Sequence, residues 1–432
     1  MRAIAFAVPF AIGVSALGGC GALEASNDRV NSAQPMWFHH KGGALEVVNR
    51  VPLTISSRTV GEDYERGQAA IDPVHRRVFM GTSDGGLYAL RSTDLSVIWR
   101  FETAGAVQSE PLYDAELDVV YFGSHDGALY CVEAANGRLV WRFSSGAEVD
   151  KKPVVVGETL FFANGADNLF AIDRRTGKTK WNQHRTPALG MEISGYAGPA
   201  YDEGRVFMAY SDGHVMAYDG RDGTEAWPQA MDLAGEAESA AGGETPRYLD
   251  VDTTPIVDEL PSGRVIYVAG YAGGVYALGA DSGAPVWKNE QATGVTDLFL
   301  WHEAAHTPNP RGPDRGLPMV PDRKYVIAAS ATSGLWALEA ATGKKVWDIP
   351  IPDGGVTAPA ALSGALLVGT TRYGLFLLSP IDGRVIDGID LGTGFSQAPA
   401  AYGNRAFAIT NSGTILGLAV KAPLQPAWLP ER

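Results

Sequence analysis

A short hairpin signature recurs along the sequence, and this repeat constrains the fold more than any other feature. The clearest copy spans residues 171–181 and reads AIDRRTGKTKW. An apolar run typical of a buried strand ends in a turn, where Gly177 can adopt a positive φ without a Cβ clash. The copy ends at Trp181, whose large flat side chain can cover a neighbouring sheet. Each copy therefore predicts a β-hairpin whose tryptophan docks on the next unit.

Eight copies can be counted. Copies with both the glycine and the tryptophan occupy residues 130–141, 171–181, 216–227, 276–287 and 336–347. The copy at 88–99 has Leu95 at the position of the turn glycine, the copy at 376–387 has Asp387 at the position of the tryptophan, and the last copy stops after residues 415–420. The predicted docking residues are Trp99, Trp141, Trp181, Trp227, Trp287 and Trp347, with Gly137, Gly177, Gly223, Gly283 and Gly343.

A sustained period of about 40 residues with several strands per unit is typical of a β-propeller. The sequence predicts an all-β fold, an eight-bladed β-propeller of four-stranded antiparallel blades. A proline marks the predicted start of most first strands: Pro111, Pro153, Pro199, Pro255, Pro318, Pro359 and Pro399. Proline belongs at strand starts and edges because it lacks an amide hydrogen.

The last unit lacks its outer strand, which would leave two sheet edges unpaired. The segment 45–53 (LEVVNRVPL) resembles an isolated strand. We therefore expect this N-terminal strand to complete the last blade and close the ring. Asn49 would then lie where other copies have tryptophan.

The chain begins Met1-Arg2, a short basic start, and an apolar run follows that ends LGGC at Cys20. This pattern predicts a signal peptide at 1–19 and resembles the bacterial lipobox, which implies lipidation of Cys20. Gly21 after it implies delivery to the outer membrane, facing the periplasm, and acyl chains would anchor the protein there. An ordinary cleaved signal with an incidental cysteine is the alternative.

The remaining boundaries follow from composition and repeat spacing. We expect a flexible tether at 20–43, a single propeller at 44–420 and a C-terminal tail at 421–432. Two insertions interrupt the repeat near 231–252, which is rich in carboxylates, and 289–317, which starts with an apolar run. Long loops in compact folds are often functional.

Charge and cysteine content exclude several classes of protein. The formal net charge of −14 would repel a phosphate backbone, so nucleic acid is not an expected partner. Cys20 and Cys131 are the only cysteines of the sequence, which leaves no disulfide framework and no cysteine-based metal site. Cys131 lies in a predicted strand at a position where other copies have alanine, and we expect a core role for it.

One motif suggests a metal. His302-Glu303-Ala304-Ala305-His306 fits H-E-x-x-H, in which two histidines one helical turn apart bind Zn²⁺. That chemistry needs a helix, and Pro308 ends any helix there. We expect no catalytic metal site but a short amphipathic turn, whose Trp301 and Phe299 pack on the propeller while the histidines face solvent. A structural or adventitious metal at His302 and His306 is the alternative that stays open.

The repeat A-x-D-x-x-T-G-x-x-x-W resembles the tryptophan-docking motif of pyrroloquinoline-quinone-type propellers, over about residues 45–420. With a lipobox and a stand-alone ring of eight, the chain resembles the BamB family of scaffold lipoproteins of the outer-membrane β-barrel assembly machine. The resemblance implies a non-enzymatic monomeric propeller without cofactor. It also implies partners: the POTRA domains of the barrel-forming subunit, the other assembly lipoproteins, and the membrane through the lipid anchor.

In that family the loop after the third repeat carries the contact with POTRA domains. The corresponding loop here begins at Pro187, and Leu189 and Met191 match the two apolar contacts. Glu192 stands where the family has arginine, so the partner would need a basic counterpart. A connecting loop that packs on the propeller is the alternative, and Phe299 and Trp301 in the second insertion are then the next candidates.

Two other functions fit a fold of this type. Quinone- and Ca²⁺-dependent dehydrogenases resemble this chain in their repeat. They also carry a disulfide between adjacent cysteines, and this sequence contains no such pair. A generic surface scaffold, or a lipoprotein that binds carbohydrate or peptide in its central funnel, would have much the same sequence pattern.

Overall fold

The computed structural model describes residues 43–54, 65–187, 196–240, 248, 250–307, 319–351 and 354–421. Within these residues, eight four-stranded antiparallel sheets follow one another along the chain. The described residues belong to one compact unit, and none of their helices is long and apolar enough to cross a membrane. The eight-bladed propeller predicted from the repeat is confirmed.

Blades are numbered here in chain order, and the strands of each blade run from the innermost to the outermost. Blade 1 contains β2 (Ala69–Asp72), β3 (Arg77–Gly81), β4 (Gly86–Arg91) and β5 (Val97–Glu102). Blade 2 contains β6 (Leu112–Asp114), β7 (Val119–Ser124), β8 (Ala128–Glu133) and β9 (Leu139–Ser144). Blade 3 contains β10 (Val154–Val156), β11 (Thr159–Asn164), β12 (Asn168–Asp173) and β13 (Thr179–His184). Blade 4 contains β14 (Ala200–Asp202), β15 (Arg205–Ala209), β16 (His214–Asp219) and the short β17 (Met231–Asp232).

The second half of the ring has the same plan. Blade 5 contains β18 (Ile256–Leu260), β19 (Gly263–Gly270), β20 (Gly274–Gly279) and β21 (Pro285–Asn289). Blade 6 contains β22 (Val295–Glu303), β23 (Arg323–Ser330), β24 (Gly334–Glu339) and β25 (Lys345–Ile349). Blade 7 contains β26 (Ala360–Leu362), β27 (Ala365–Thr370), β28 (Gly374–Leu378) and β29 (Val385–Ile389). Blade 8 contains β30 (Ala400–Tyr402), β31 (Arg405–Ile409), β32 (Thr414–Val420) and β1 (Leu45–Pro52).

The second and third strands of each blade form the core. Strands β7 and β27 are buried at every position, as are most residues of the equivalent strands. Their unbroken apolar sequences fit this location, because a central strand of a propeller blade is covered on both faces by neighbouring blades. The outermost strands are more exposed, which matches their polar and alternating sequences.

Tryptophans join successive blades. The indole N–H of Trp99 in blade 1 donates to the carbonyl of Ala134 in blade 2 at 3.0 Å, and Trp141 donates to Arg174 of blade 3 at 3.0 Å. The same contact recurs from blade 3 to blade 7, made by Trp181, Trp227, Trp287 and Trp347. Each ring lies against the turn glycine of the next blade, where an added Cβ would come within 2.9 Å of the indole or closer. These glycines also have positive φ, so both the backbone and the contact require glycine.

The N-terminal strand closes the ring as expected. Strand β1 pairs antiparallel with β32, in a register that runs from Leu45 opposite Val420 to Pro52 opposite Thr414. Asn49 lies opposite Gly417, the position equivalent to tryptophan opposite alanine in other blades. Its side-chain amide donates to the carbonyl of Thr93 in blade 1 at 2.7 Å. Asn49 therefore makes a smaller version of the tryptophan contact.

The two irregular copies of the repeat both lie next to this closing blade. Leu95 keeps the left-handed turn with φ of 59° and is completely buried, in a cluster that includes Phe407 and Ile415 of blade 8. It fills the space that a tryptophan on β1 would occupy. On the other side, the carboxylate of Asp387 accepts the backbone N–H of Leu45 at 2.7 Å. Both departures from the repeat therefore lie beside blade 8, in which no hairpin joins β32 to the outermost strand β1.

Blade 6 differs from the sequence prediction. The segment 289–317, predicted as an insertion, contains the innermost strand β22, and β22 pairs with β23 along its whole length. Pro318 therefore does not mark the start of this blade and falls between its first two strands, outside the described residues. Prolines 111, 153, 199, 255, 359 and 399 do immediately precede innermost strands, as predicted.

The insertion at 231–252 has a different role. Its start supplies β17, the outermost strand of blade 4, and then a helix, α1 (Leu233–Ala240). Leu233 and Ala237 are buried, so the helix packs on the propeller. Residues 241–247 and 249 lie outside the described residues.

Candidate functional site

The crossovers between blades lie at one face of the ring. There, backbone N–H groups of crossovers donate to hairpins between second and third strands: Thr103 to Gly85, Ser145 to Gly127 and Arg185 to Asp167. We call this side the crossover face. Helix α1 begins at this face, where the backbone N–H of Leu233 donates to the carbonyl of Gly213 in the hairpin of blade 4, and strand β22 ends at the opposite face with Glu303.

The contact loop predicted from the family resemblance is connected at both ends to the crossover face. Before it, Arg185 donates to the carboxylate of Asp212 through Nε at 2.9 Å, and its guanidinium lies 5.5 Å from the ring centroid of Tyr210. After it, the buried Tyr196 donates its hydroxyl to the carbonyl of Glu148 at 3.0 Å. Burial raises the pKa of Tyr196 well above its usual value, so the hydroxyl keeps its proton.

The predicted partner residues divide into two groups. Leu189, Met191 and Glu192 lie outside the described residues. Phe299 and Trp301 lie on β22 and do not form an exposed pair. Phe299 lines the central channel, while Trp301 is only 8% exposed and packs on Tyr325 with 5.3 Å between ring centroids. The structure thus assigns Trp301 to the interior of blade 6.

The H-E-x-x-H motif does not form a helix. His302 and Glu303 end strand β22, and His306 forms a backbone bridge with Val320. The imidazole Nε2 of His302 lies 2.9 Å from the carboxylate of Asp322. An extended chain does not place these histidines on one face in the manner of a zinc protease. The expected turn was wrong, because the segment continues an innermost strand, but both histidines are exposed and Trp301 is buried, as expected.

Another group of potential metal ligands lies between blades 1 and 2. Asp72, His75 and Asp118 could each offer one ligand atom within 4.8 Å of the others. The guanidinium of Arg77 already lies among them, with Nε 2.7 Å from Asp72 and a second contact to Asp118. This cluster is an inter-blade ion-pair network whose cation is an arginine.

A central channel runs between the innermost strands and encloses a cavity of about 930 Å³. Its wall along blades 1 to 3 is polar and charged. Its wall along blades 7 and 8 consists mainly of small apolar residues, in the runs Ala358-Pro359-Ala360-Ala361 and Ala398-Pro399. The channel is therefore amphipathic, with different chemistry on its two sides.

Ion pairs order part of the charged wall. Lys152 lies 3.2 Å from the carboxylate of Glu110, and the imidazole of His125 lies 3.0 Å from that of Asp150. The hydroxyl of Tyr196 accepts the backbone N–H of Asp150. The end of the predicted contact loop is thus bonded directly to the channel wall.

Two carboxyl groups near the channel have raised pKa values. Burial and the repulsion of Asp250 raise the pKa of Asp252 to about 7, and the Lys151 ammonium opposes this rise. Burial also raises the pKa of Asp297, which borders the cavity but is enclosed by the protein around it. Lys151 again opposes the rise, and Glu110 adds to it. One carboxyl group that lines the channel, that of Asp297, is therefore costly to ionise, as is that of Asp252 nearby.

Sequence reasoning missed these channel residues. Lys151 and Lys152 immediately precede Pro153, and Glu110 precedes Pro111. Because the prolines mark innermost strands, charges directly before them were a signal for a polar channel. Asp297 had no such marker, since β22 begins without a proline.

Comparisons with known proteins agree with this geometry. A family model described as "Outer membrane protein assembly factor BamB" matches residues 83–349. BamB from Legionella pneumophila (strain Paris) is 25% identical over 238 residues, which is 55% of this chain and 53% of that protein. A tetrathionate hydrolase from Acidithiobacillus ferrooxidans is 23% identical over 339 residues, 77% of this chain and 55% of the enzyme. The chain thus spans about half the length of these two curated relatives.

Solved structures share the fold at low identity. BamB from Moraxella catarrhalis superimposes with a TM-score of 0.66 at 19% identity, covering 87% of this chain and 99% of that chain. A quinohemoprotein alcohol dehydrogenase from Pseudomonas putida HK5 gives a TM-score of 0.61 at 14% identity, covering 90% of this chain and 78% of the enzyme. At such identities the likeness concerns the fold alone, and the fold serves both assembly factors and enzymes.

Proposed function

The chain belongs to the BamB family of outer membrane protein assembly factors, and from this premise we propose that it is a non-enzymatic scaffold of the β-barrel assembly machine. The observation that carries the proposal is the family match over residues 83–349, which spans most of the ring. In this role the propeller binds the periplasmic POTRA domains of the barrel-forming subunit and aids the insertion of outer-membrane proteins. Other assembly lipoproteins are further partners.

The crossover face is the proposed contact surface. Leu189, Met191 and Glu192 lie in the sequence between Arg185 and Tyr196, whose side chains at this face are both held by other blades or crossovers. Fixed ends reduce the entropy that a loop loses when it binds a partner. Leu189 and Met191 would supply the apolar anchors and Glu192 would favour a basic counterpart.

We further propose that the protein is anchored by a lipid on Cys20 at the periplasmic face of the outer membrane. The signal at 1–19 and the tether at 20–43 carry this part of the proposal. The tether joins the ring at β1, the closing strand, so the anchor and the propeller are connected through blade 8.

The enzymatic alternatives have less support in this chain. The dehydrogenases that resemble it in sequence pattern use a pair of adjacent cysteines, whereas Cys131 stands alone in strand β8 and is 1% exposed. Burial raises the pKa of its thiol far above its usual value, so it is not a reactive thiolate. The role of this cysteine is packing.

Affinity capture tests the scaffold role. The lipidated protein with a C-terminal tag is purified from outer membranes, and the barrel-forming subunit is quantified in the eluate. Replacing Leu189 and Met191 together by Asp should reduce capture at least tenfold without changing the melting temperature. A variant that binds normally would remove this loop from the contact surface.

A matched control lies on the other face of the ring. Val74 is 79% exposed in the hairpin between β2 and β3, so Val74→Asp introduces a charge at an exposed apolar position away from the crossover face. This variant should capture the subunit normally. Loss of capture in both variants would indicate a general surface effect, and absence of the subunit from all eluates would overturn the scaffold role.

A further inference from the structure

Among the described residues that line the central channel, two partly buried side chains of opposite charge lack ion pairs. Glu110 is paired with Lys152, and Asp150 is paired with His125. Arg66 and Glu148 line the cavity but are exposed to solvent, where an unpaired charge costs little. Lys151 and Asp297 remain, both partly buried in the channel wall.

Asp297 is only partly compensated within the protein. Its Oδ1 accepts the backbone N–H of the adjacent Leu298 at 2.8 Å, and no cation among the described residues forms an ion pair with it. Lys151 is near enough to influence the carboxyl group electrostatically, yet in the same part of the chain it makes no ion pair either. Enclosed charges without partners are unfavourable, so each is more stable with a counter-charge brought by a ligand.

The rest of the cavity is suited to an apolar group. Phe299 and Leu298 line it from blade 6, and the alanine–proline runs of blades 7 and 8 continue this wall. The small side chains leave room, and about 930 Å³ lies within the range of about 300–1,000 Å³ found for small-molecule pockets. The wall therefore provides an apolar surface in the same cavity as the two charges.

We propose that the channel binds a small zwitterionic ligand with an apolar body, such as a short apolar peptide. Its ammonium group lies at Asp297, its carboxylate lies at Lys151, and its side chains contact the alanine–proline wall. One free anion and one free cation match a zwitterion. A polyanion would find a single unpaired partly buried cation, and a metal cation would be repelled by Lys151.

This site is independent of the scaffold role, because it uses the channel wall and not the crossover loop. In the part of the chain that the structure describes, Tyr196 links the end of that loop to the channel, because its hydroxyl bonds to the backbone of Glu148 and Asp150. Ligand binding and capture of the barrel-forming subunit can therefore be measured and lost separately.

Isothermal titration calorimetry with three probes tests the site. The probes are L-leucyl-L-leucine, its N-acetyl form without the ammonium group, and its C-terminal amide without the carboxylate. The mature protein should bind the dipeptide and bind each capped form at least tenfold more weakly. Absence of binding by the dipeptide, or equal binding of the three probes, overturns the proposal.

Two variants assign the ends of the ligand. Asp297→Asn should abolish the preference for the free ammonium group, and Lys151→Met should abolish the preference for the free carboxylate. Matched controls that change the same charges elsewhere are Glu102→Gln on β5 and Lys178→Met in the β12–β13 turn, both exposed positions. If the controls change the probe preference as much as the channel variants, the assignment is wrong.

A second measurement separates a binding role from a structural role. Without ligand, Asp297→Asn should raise the melting temperature, because it removes an enclosed charge that lacks an ion pair. A structural carboxylate would give the opposite sign. A lower melting temperature for Asp297→Asn would therefore overturn the assignment of this residue.

Discussion

The junction between blades 8 and 1 offers a direct test of how this ring is closed. Leu95 replaces the turn glycine, and Asn49 replaces the tryptophan that would lie on it. The Cδ1 of Leu95 and the side chain of Asn49 both lie within 4 Å of the site where a Cβ on Gly417 would be. The two substitutions occupy one space, so their effects on stability should be strongly coupled.

Each single change should destabilise the protein. Leu95→Gly removes a completely buried side chain, which costs about 2–5 kcal/mol, offset by about 1 kcal/mol from release of the left-handed leucine. We expect a net loss of about 3 kcal/mol. Asn49→Trp places an indole against Leu95 and should cost about 1–3 kcal/mol through overpacking.

The double variant should recover most of this loss. Tryptophan over glycine is the arrangement at six other junctions, so the pair should fold with a loss of no more than about 1 kcal/mol. Equilibrium urea unfolding of the four proteins in the cycle gives the coupling free energy, which should reach about 3 kcal/mol. Additive effects, within about 0.5 kcal/mol, would refute the reasoning.

The reverse exchange at the next junction is the matched control. Gly137→Leu should strongly destabilise the protein, because this position would force the leucine into a left-handed backbone conformation and its side chain would clash with the ring of Trp99. Adding Trp99→Asn should restore part of the stability by making room. Recovery at one junction but not at the other would show that the coupling depends on local packing and not on the shared geometry.

Three further predictions concern the anchor, the closure and the channel. Cys20→Ser should move the protein from the outer-membrane fraction to the soluble periplasm, and retention in the membrane pellet at high salt would contradict lipid anchoring. Deleting residues 21–40 should leave the melting temperature unchanged, whereas deleting residues 21–53 should lower it by about 10 °C or more because it removes β1; equal temperatures would contradict closure by this strand. Asp252 has a pKa of about 7 in the fold against 3.8 as its usual value, so the folded state holds its proton between these pH values and the wild-type protein loses stability as pH rises from about 4 to 7. Asp252→Asn should therefore stabilise the protein at pH 8 by about 4 kcal/mol more than at pH 4, since one pKa unit corresponds to about 1.4 kcal/mol, and a pH-independent difference in urea unfolding would contradict the raised pKa.

The blades were predictable because their signal is local. A tryptophan, a turn glycine and two apolar runs within a dozen residues specify one hairpin and its contact with the next. Closure by residues 45–53 also followed, since an incomplete last unit and an unpaired N-terminal strand complement each other. Even the position of Asn49 could be assigned by register.

Blade 6 and the channel were less accessible to sequence reasoning. Strand β22 lacks the proline marker and is followed by a long connection, so the repeat spacing placed the blade boundary too late. Lys151 and Asp297 are far apart in sequence. They line the same cavity because the innermost strands of different blades together form the channel wall. Arrangements of this kind depend on the closed ring, which no single repeat encodes.

The closing strand also affects the order in which the molecule can fold. Hairpins within blades 1 to 7 join strands that are near neighbours in sequence, whereas the bond from Leu45 to Asp387 spans 342 positions. Contacts of such separation form late, because the intervening chain must first become compact. During synthesis, strand β1 emerges first and finds its partner β32 last. Until then the nascent ring has two open edges, and its half-life in that state depends on how quickly its final repeat is delivered.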